Sequence, residues 1–223
     1  MKQNFRAVIL DFDGTIGDTR SLIVRTMQQT IAELGLPART DDECAAMIGL
    51  PLKQTFTELI PMDDATGDRC EAVYRRIFTV NNRPGVVPVF PNVIETIRRM
   101  HASGLLVTIA SSRFRPSLTA FVEDMGLSAY IPYILSAADV EHAKPAPDMV
   151  VKTLADNGLR PDEAVVVGDT VFDIGMAHAA GVKAVGVTYG NGRREDLTAA
   201  CAEWVIDDFG ELCGIVGCMP NSR

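Results

Sequence analysis

The sequence predicts an α/β fold: a parallel sheet with helices on both faces, joined by a small all-helical insert. Three observations lead there. Short β-branched apolar runs alternate with amphipathic stretches, the pattern of strands linked by crossover helices. Each clear run lies beside a Gly or an Asp, where a strand gives way to a loop. The block from about residue 19 to about residue 83 holds helical patterns and no convincing strand, so it is an insert and not an ordinary crossover.

Taken in order, the strands are expected at Ala7–Leu10, 105–110, 165–167 and 182–187, with a weaker one at Trp204–Ile206 before a short terminal helix. Helices with one apolar stripe are expected at Val93–Ala102, 117–125, 148–157 and 174–180. Inside the insert, helical patterns at 22–34, 42–48, 53–59 and 65–79 are separated by Gly35–Leu36–Pro37, Gly49–Leu50–Pro51 and Pro61–Met62–Asp63. The expected division is a core of residues 1–17 and 84–223 and a helical cap of residues 18–83, hinged at 14–18 and 81–85. No repeat or low-complexity segment interrupts it.

At 223 residues the chain is long enough for a substantial core. Its net charge of −8 disfavours a nucleic-acid partner or a polybasic membrane anchor, since both need a concentrated positive field. An anionic substrate would therefore need a metal and a few placed cations. The apolar run in MKQNFRAVILDFDG ends within a few residues, too soon for a signal-peptide core, and no stretch has the length of a membrane span. A cytoplasmic protein is expected. Its five cysteines form no CxxC and are read as free thiols; Cys213 and Cys218 lie close, but no other Cys or His stands beside them to complete a metal site.

Four segments carry candidate chemistry. The first strand ends at Asp11, and in extended chain Asp11 and Asp13 share a face, where two like charges need a cation or a proton. Gly14 follows and permits a sharp turn. The second strand runs into Ser111–Ser112–Arg113, whose first hydroxyl suits a phosphoryl oxygen, although a Ser there is more often a turn or cap. In Lys144–Pro145–Ala146–Pro147–Asp148, an exposed lysine before a helix start is the plainer account of the segment alone. Asp169 ends a buried strand and Asp173 lies one helical turn on; either they ligate a hard cation such as Mg²⁺, or they simply decorate a helix N-terminus. Together the four converge on one sheet edge, where ligands of open parallel sheets bind.

These segments, DFDGT, Ser111, KPAPD and GDTVFD, closely resemble the four motifs of the haloacid dehalogenase superfamily. The helical insert is similar to the cap of its phosphoglycolate phosphatase-like and β-phosphoglucomutase-like branch. The likeness continues through GVTYGNGRREDL to VIDDFGEL, over nearly the whole chain. The resemblance implies a Rossmann-like core and an Mg²⁺-dependent phosphatase acting on a small phosphorylated metabolite, phosphoglycolate first among the guesses. It implies Asp11 as nucleophile, Asp13 as general acid and base, and Lys144 as the offset for negative charge on Asp11 and on the transferring group. Asp11, the backbone carbonyl of Asp13 and Asp169 would ligate the metal, with Asp173 in its outer sphere. Gly14, Thr15, Ser111, Ser112, Arg113 and Lys144 would hold the phosphoryl group.

Two departures stand out. Ser111–Ser112–Arg113 replaces the frequent Thr-Asn-Lys, and Glu141–His142–Ala143 precedes Lys144 where the branch often has a glycine. His142 is read as a loop residue, and His101 and His178 as structural or surface residues. Arg20, Arg25, Lys53 and Arg83 are cap or hinge cations available to a substrate. A sugar-phosphate mutase is the alternative activity, and a non-catalytic phosphometabolite-binding module a more distant one; a Rossmann dehydrogenase lacks its GxGxxG. The assembly is expected to be a monomer or a homodimer.

Overall fold

The computed structural model describes residues 4–83 and 85–218. Residues 1–3, 84 and 219–223, at the ends of the two expected core segments, lie outside the described residues. Among those described, β1 (Ala7–Leu10), β2 (Leu106–Ser111), β3 (Tyr133–Ser136), β4 (Ala164–Gly168), β5 (Lys183–Val187) and β6 (Trp204–Ile206) form one sheet. Its order is β3-β2-β1-β4-β5-β6 and every neighbouring pair is parallel.

Alternation along the strands builds two cores. Val8, Leu10, Val165 and Val167 face one side, while Ala7, Ile9, Ala164 and Val166 face the other. The first side is covered by α5 (Val93–Ala102), α6 (Arg115–Asp124) and α10 (Leu212–Val216), and the second by α7 (Asp148–Asp156), α8 (Val171–Ala179) and α9 (Arg194–Ala199). With both faces buried, the central strands read as continuous apolar runs. Chain order reverses between β1 and β4, which opens a crevice beyond their carboxyl ends.

The block between β1 and α5 is helical: α1 (Arg20–Glu33), α2 (Asp41–Ala45), α3 (Leu52–Leu59) and α4 (Asp64–Asn81). Its apolar stripes pack inward, α1 and α3 both against α4. Local chemistry sets its helix starts. Thr40 accepts from the Glu43 N–H while Glu43 returns the bond to the Thr40 N–H at 2.7 Å, and Asp63 accepts from Thr66 at 2.8 Å. The two crossings into this block lie side by side. The Asp18 N–H donates to the Pro88 carbonyl at 2.8 Å, and the Phe90 N–H to Ile16 at 3.1 Å.

Two elements go beyond the expectation. β3 is a four-residue edge strand with two half-buried positions, too short to announce itself by alternation. α9 buries only Leu197 among charged neighbours, so it shows no apolar stripe. β2 is also one residue later than expected, which makes Ser111 its final residue.

The cysteines require a correction. Cys44, Cys70 and Cys201 are free, as expected, but Cys213 and Cys218 form a disulfide. Helix α10 ends at Gly217 with φ 78°, and the Cys218 N–H turns back to the Cys213 carbonyl at 3.1 Å. That reversal brings the two Cα atoms to 4.8 Å, within bridging range. Alkylation of the denatured, unreduced protein should modify three thiols, rising to five after reduction; intact mass measures both.

Candidate functional site

Four loops deliver the motif residues to the crevice. The Asp11 N–H donates to the Val167 carbonyl at 2.9 Å, which carries the β1–β4 pairing one residue past the strand and fixes the Asp11 backbone. Asp169 follows β4, and Asp173 stands in the first turn of α8. The Lys144 side chain, fully buried, donates from Nζ to Asp11 Oδ1 and to Asp173 Oδ1, both at 2.6 Å. KPAPD is thus not an exposed lysine before a helix. The lysine is drawn inward by two carboxylates, one in the loop after β1 and one in the first turn of α8.

Each acid has its own support. Asp173 Oδ2 accepts from the Thr170 N–H at 3.0 Å and from the Thr170 hydroxyl at 2.7 Å, so this residue is a helix cap as well as a lysine partner. Asp169 Oδ2 accepts from the Asn191 N–H at 2.6 Å and from Asn191 Nδ2 at 2.9 Å, and the Thr15 hydroxyl lies 3.4 Å from Oδ1. Gly14 is required here. Its φ is +84°, and a Cβ would come within 2.0 Å of the Asp169 carboxylate.

Asp11, Asp169 and Asp173 each place a carboxylate oxygen within 4.8 Å of the others, and all three are buried. One ammonium serves this cluster. Burial pushes the Asp11 carboxyl up to about 7; Lys144 opposes the shift, and repulsion from Asp173 and Asp13 adds to it. Burial and then repulsion from Asp173 and Asp11 likewise hold Asp169 well above the usual range, against its bonds from Asn191. Excess negative charge on hard oxygen donors is the condition a divalent cation relieves, so the residues fit one. The Asp13 carboxylate is not among the three; its expected contribution is the backbone carbonyl.

Asp13 points instead toward Arg113. The guanidinium donates from Nε to both Asp13 oxygens, at 3.0 and 2.9 Å, and from Nη2 to Oδ1, while the Thr19 hydroxyl donates to Oδ1 at 2.6 Å. Arg113 is boxed by Phe12, Phe78 and Phe121, with its guanidinium carbon 5.0–5.8 Å from their ring centres. The cation expected to hold phosphate therefore grips the second aspartate here. Ser111 is buried at the crevice and its hydroxyl accepts from the Arg113 N–H at 3.4 Å. Ser112 turns away and donates to the Gly49 carbonyl at 2.6 Å, tying this loop to the helical block.

A cavity of about 630 Å³ extends from Asp11, Asp13, Ser111 and Arg113 beneath the helical block. Of the four cations proposed from sequence, only Lys53 lines it; Arg20 is tied to Asp42 at 2.9 Å and, like Arg25 and Arg83, forms no part of the lining. Sequence reasoning did not single out Thr19, Tyr74, Arg75, Phe78 or Asn191. Asn191 had a faint signal in its flanking glycines, whereas the α4 residues carried none, because their stripe reads as ordinary helix packing. His142 is exposed and lies 3.1 Å from Asp148.

The sequence model of the haloacid dehalogenase-like hydrolases matches residues 8–187. The probable phosphatase IndB of Dickeya dadantii is 33% identical over 212 residues, covering 93% of this chain and 91% of that protein. The phosphoglycolate phosphatase of Salmonella typhimurium is 25% identical over 242 residues, covering 99% and 95%. The crystal structure of a hydrolase from Pseudomonas syringae has the same fold, with a TM-score of 0.84 at 22% identity over 93% of this chain and 96% of that one. A family match across most of the length, borne by residues that meet at one crevice, leaves a plain conclusion: this chain belongs to the haloacid dehalogenase-like hydrolases.

Proposed function

We propose that this chain is a magnesium-dependent phosphatase that hydrolyses a small phosphomonoester through an aspartyl-phosphate. The observation that carries this reading is the buried cluster of Asp11, Asp169 and Asp173, two of them on Lys144, which meets a cavity through Asp11 beside Asp13. A nucleophilic carboxylate needs its charge offset without being capped by a proton, and Lys144 does this at 2.6 Å.

In the first half-reaction an Asp11 carboxylate oxygen attacks phosphorus, and the bond from phosphorus to the leaving oxygen breaks. Asp13 gives that oxygen its proton. In the second, Asp13 takes a proton from water as the water oxygen attacks the same phosphorus, which frees phosphate and restores Asp11. Arg113 and Thr19 orient Asp13, and turning it toward the leaving oxygen loosens part of their grip. The Ser111 hydroxyl and the Gly14, Thr15, Ser112 and Arg113 backbone would cradle the phosphoryl oxygens. Asp11, Asp169 and the Asp13 carbonyl would hold Mg²⁺, with Asp173 outside them; bound there, the ion supplies positive charge against the phosphoryl oxygens.

Residues 18–83 serve in this reading as a cap that shelters the reaction and selects the leaving group; the crossings into it at 16–18 and 88–90 lie side by side. Phosphoglycolate is the substrate that the motif resemblance suggests. A phosphorylated metabolite is the partner, with no nucleic acid or membrane involved and a cytoplasmic location; no described helix is long and apolar enough to cross a membrane.

Asp11→Asn should abolish phosphate release from any phosphomonoester, while the wild-type enzyme quenched during turnover gains one phosphoryl mass on the peptide containing Asp11. Equal turnover by the variant refutes the covalent route. Asp13→Asn should lower kcat about 10²–10⁴-fold with an alkyl phosphate and much less with an aryl phosphate, whose leaving oxygen needs little protonation. Below about pH 7 a proton competes for Asp11 with any cation. The folded chain then holds more protons than the unfolded one between 3.8 and about 7, so without metal this carboxyl costs stability as pH rises through that window. A fixed Mg²⁺ concentration should therefore raise Tm more at about pH 8 than at about pH 5, and Asp169→Asn should flatten the difference.

A further inference from the structure

Resting on the phosphatase reading, we infer that the preferred substrate carries an uncharged, extended apolar leaving group, seated in the cavity between the helical block and the sheet edge. Size is the first argument. A volume of about 630 Å³ falls in the range of sites for drug-sized ligands, and a phosphoryl group with a two-carbon acid leaves most of it empty.

Lining is the second. Away from Asp11 and Asp13 the apolar part of the walls is formed by Ile23, Met27, Ile48, Leu50, Leu52 and Phe78, alongside polar residues such as Thr55, Glu71, Tyr74 and Asn82. Phe114 completes one wall although it is 48% exposed, and the Arg75 guanidinium lies 4.1 Å over its ring. An exposed aromatic on a catalytic cavity gains most when a ligand covers it.

Charge is the third argument. A substrate carboxylate or second phosphate needs a cation free to meet it. Each Lys and Arg among the described lining residues already holds an acid: Lys53 holds Asp64 at 2.6 Å and Asp68 at 2.7 Å, Arg75 holds Glu71 at 2.5 Å through Nη2 while its buried Nη1 has no partner, and Arg113 holds Asp13. A second anion would have to share one of these cations with the acid it already holds, beside the Asp11, Asp13 and Glu71 carboxylates that line the same cavity. The arrangement selects against phosphoglycolate and against the bisphosphates a mutase must bind.

The test uses primary alkyl phosphates, whose leaving oxygens are chemically alike, so that kcat/KM reports the cavity. Ethyl phosphate, hexyl phosphate, 6-phosphooxyhexanoate and phosphoglycolate are compared with the full-length enzyme and Mg²⁺. Burial of each methylene is worth about fourfold, so hexyl phosphate should exceed ethyl phosphate by at least about tenfold. Adding the terminal carboxylate should cancel that gain. Leu52→Asp should collapse the hexyl-to-ethyl ratio toward one. A flat series, or phosphoglycolate turned over best, while Asp11→Asn still abolishes activity, overturns the leaving-group inference and spares the phosphatase. No phosphate release from any ester overturns both.

Discussion

The site depends on one buried contact, the Lys144 ammonium shared by Asp11 and Asp173. Charges so deep need a partner, and this one ammonium serves two of the three buried acids. Removing the ammonium would strand two carboxylates at a cost of roughly 3–5 kcal/mol, well above the worth of a surface pair. The contact also defines the geometry of the crevice. It can form only if β1, the loop before α7 and the first turn of α8 meet at one point, and the parallel order that puts β1 beside β4 brings them there. The surrounding bonds serve that meeting. Thr170 holds Asp173, Asn191 holds Asp169, and Gly14 leaves the space that a Cβ would fill.

A second ion pair divides the labour. Arg113 grips Asp13, so the two aspartates of the first motif, alike in sequence, have different surroundings: one lies against an ammonium among other acids, the other on a guanidinium boxed by aromatic rings. Different partners allow different chemistry from identical side chains. The same loop sends Ser112 to Gly49, so the motif after β2 touches both the chemistry and the helical block above it. A change in the seating of that block would therefore be felt at Asp13.

Legibility followed the strength of local pattern. β1, β4 and β5 were visible because strands buried on both faces are apolar throughout. The insert was visible because four amphipathic runs and their turn residues allow no strand. β3 and α9 were not, since an edge strand and a short charged helix bury too little to leave a period. The disulfide was missed for a related reason. Spacing alone does not say that the chain reverses at Gly217, and only the reversal sets Cys218 against Cys213.

Residue identity alone determined which groups could react: carboxylates at strand ends, a lysine held out of helix by the proline after it, a hydroxyl after an apolar run. Those choices are local and so are written locally. The partners were decided by the tertiary structure. Nothing near Arg113 in sequence names Asp13, a hundred residues away, and nothing in α4 marks Arg75 and Phe78 as walls of a cavity. Which cation meets which acid, and what space remains between them, depends on how distant segments pack, and that is a property of the folded chain.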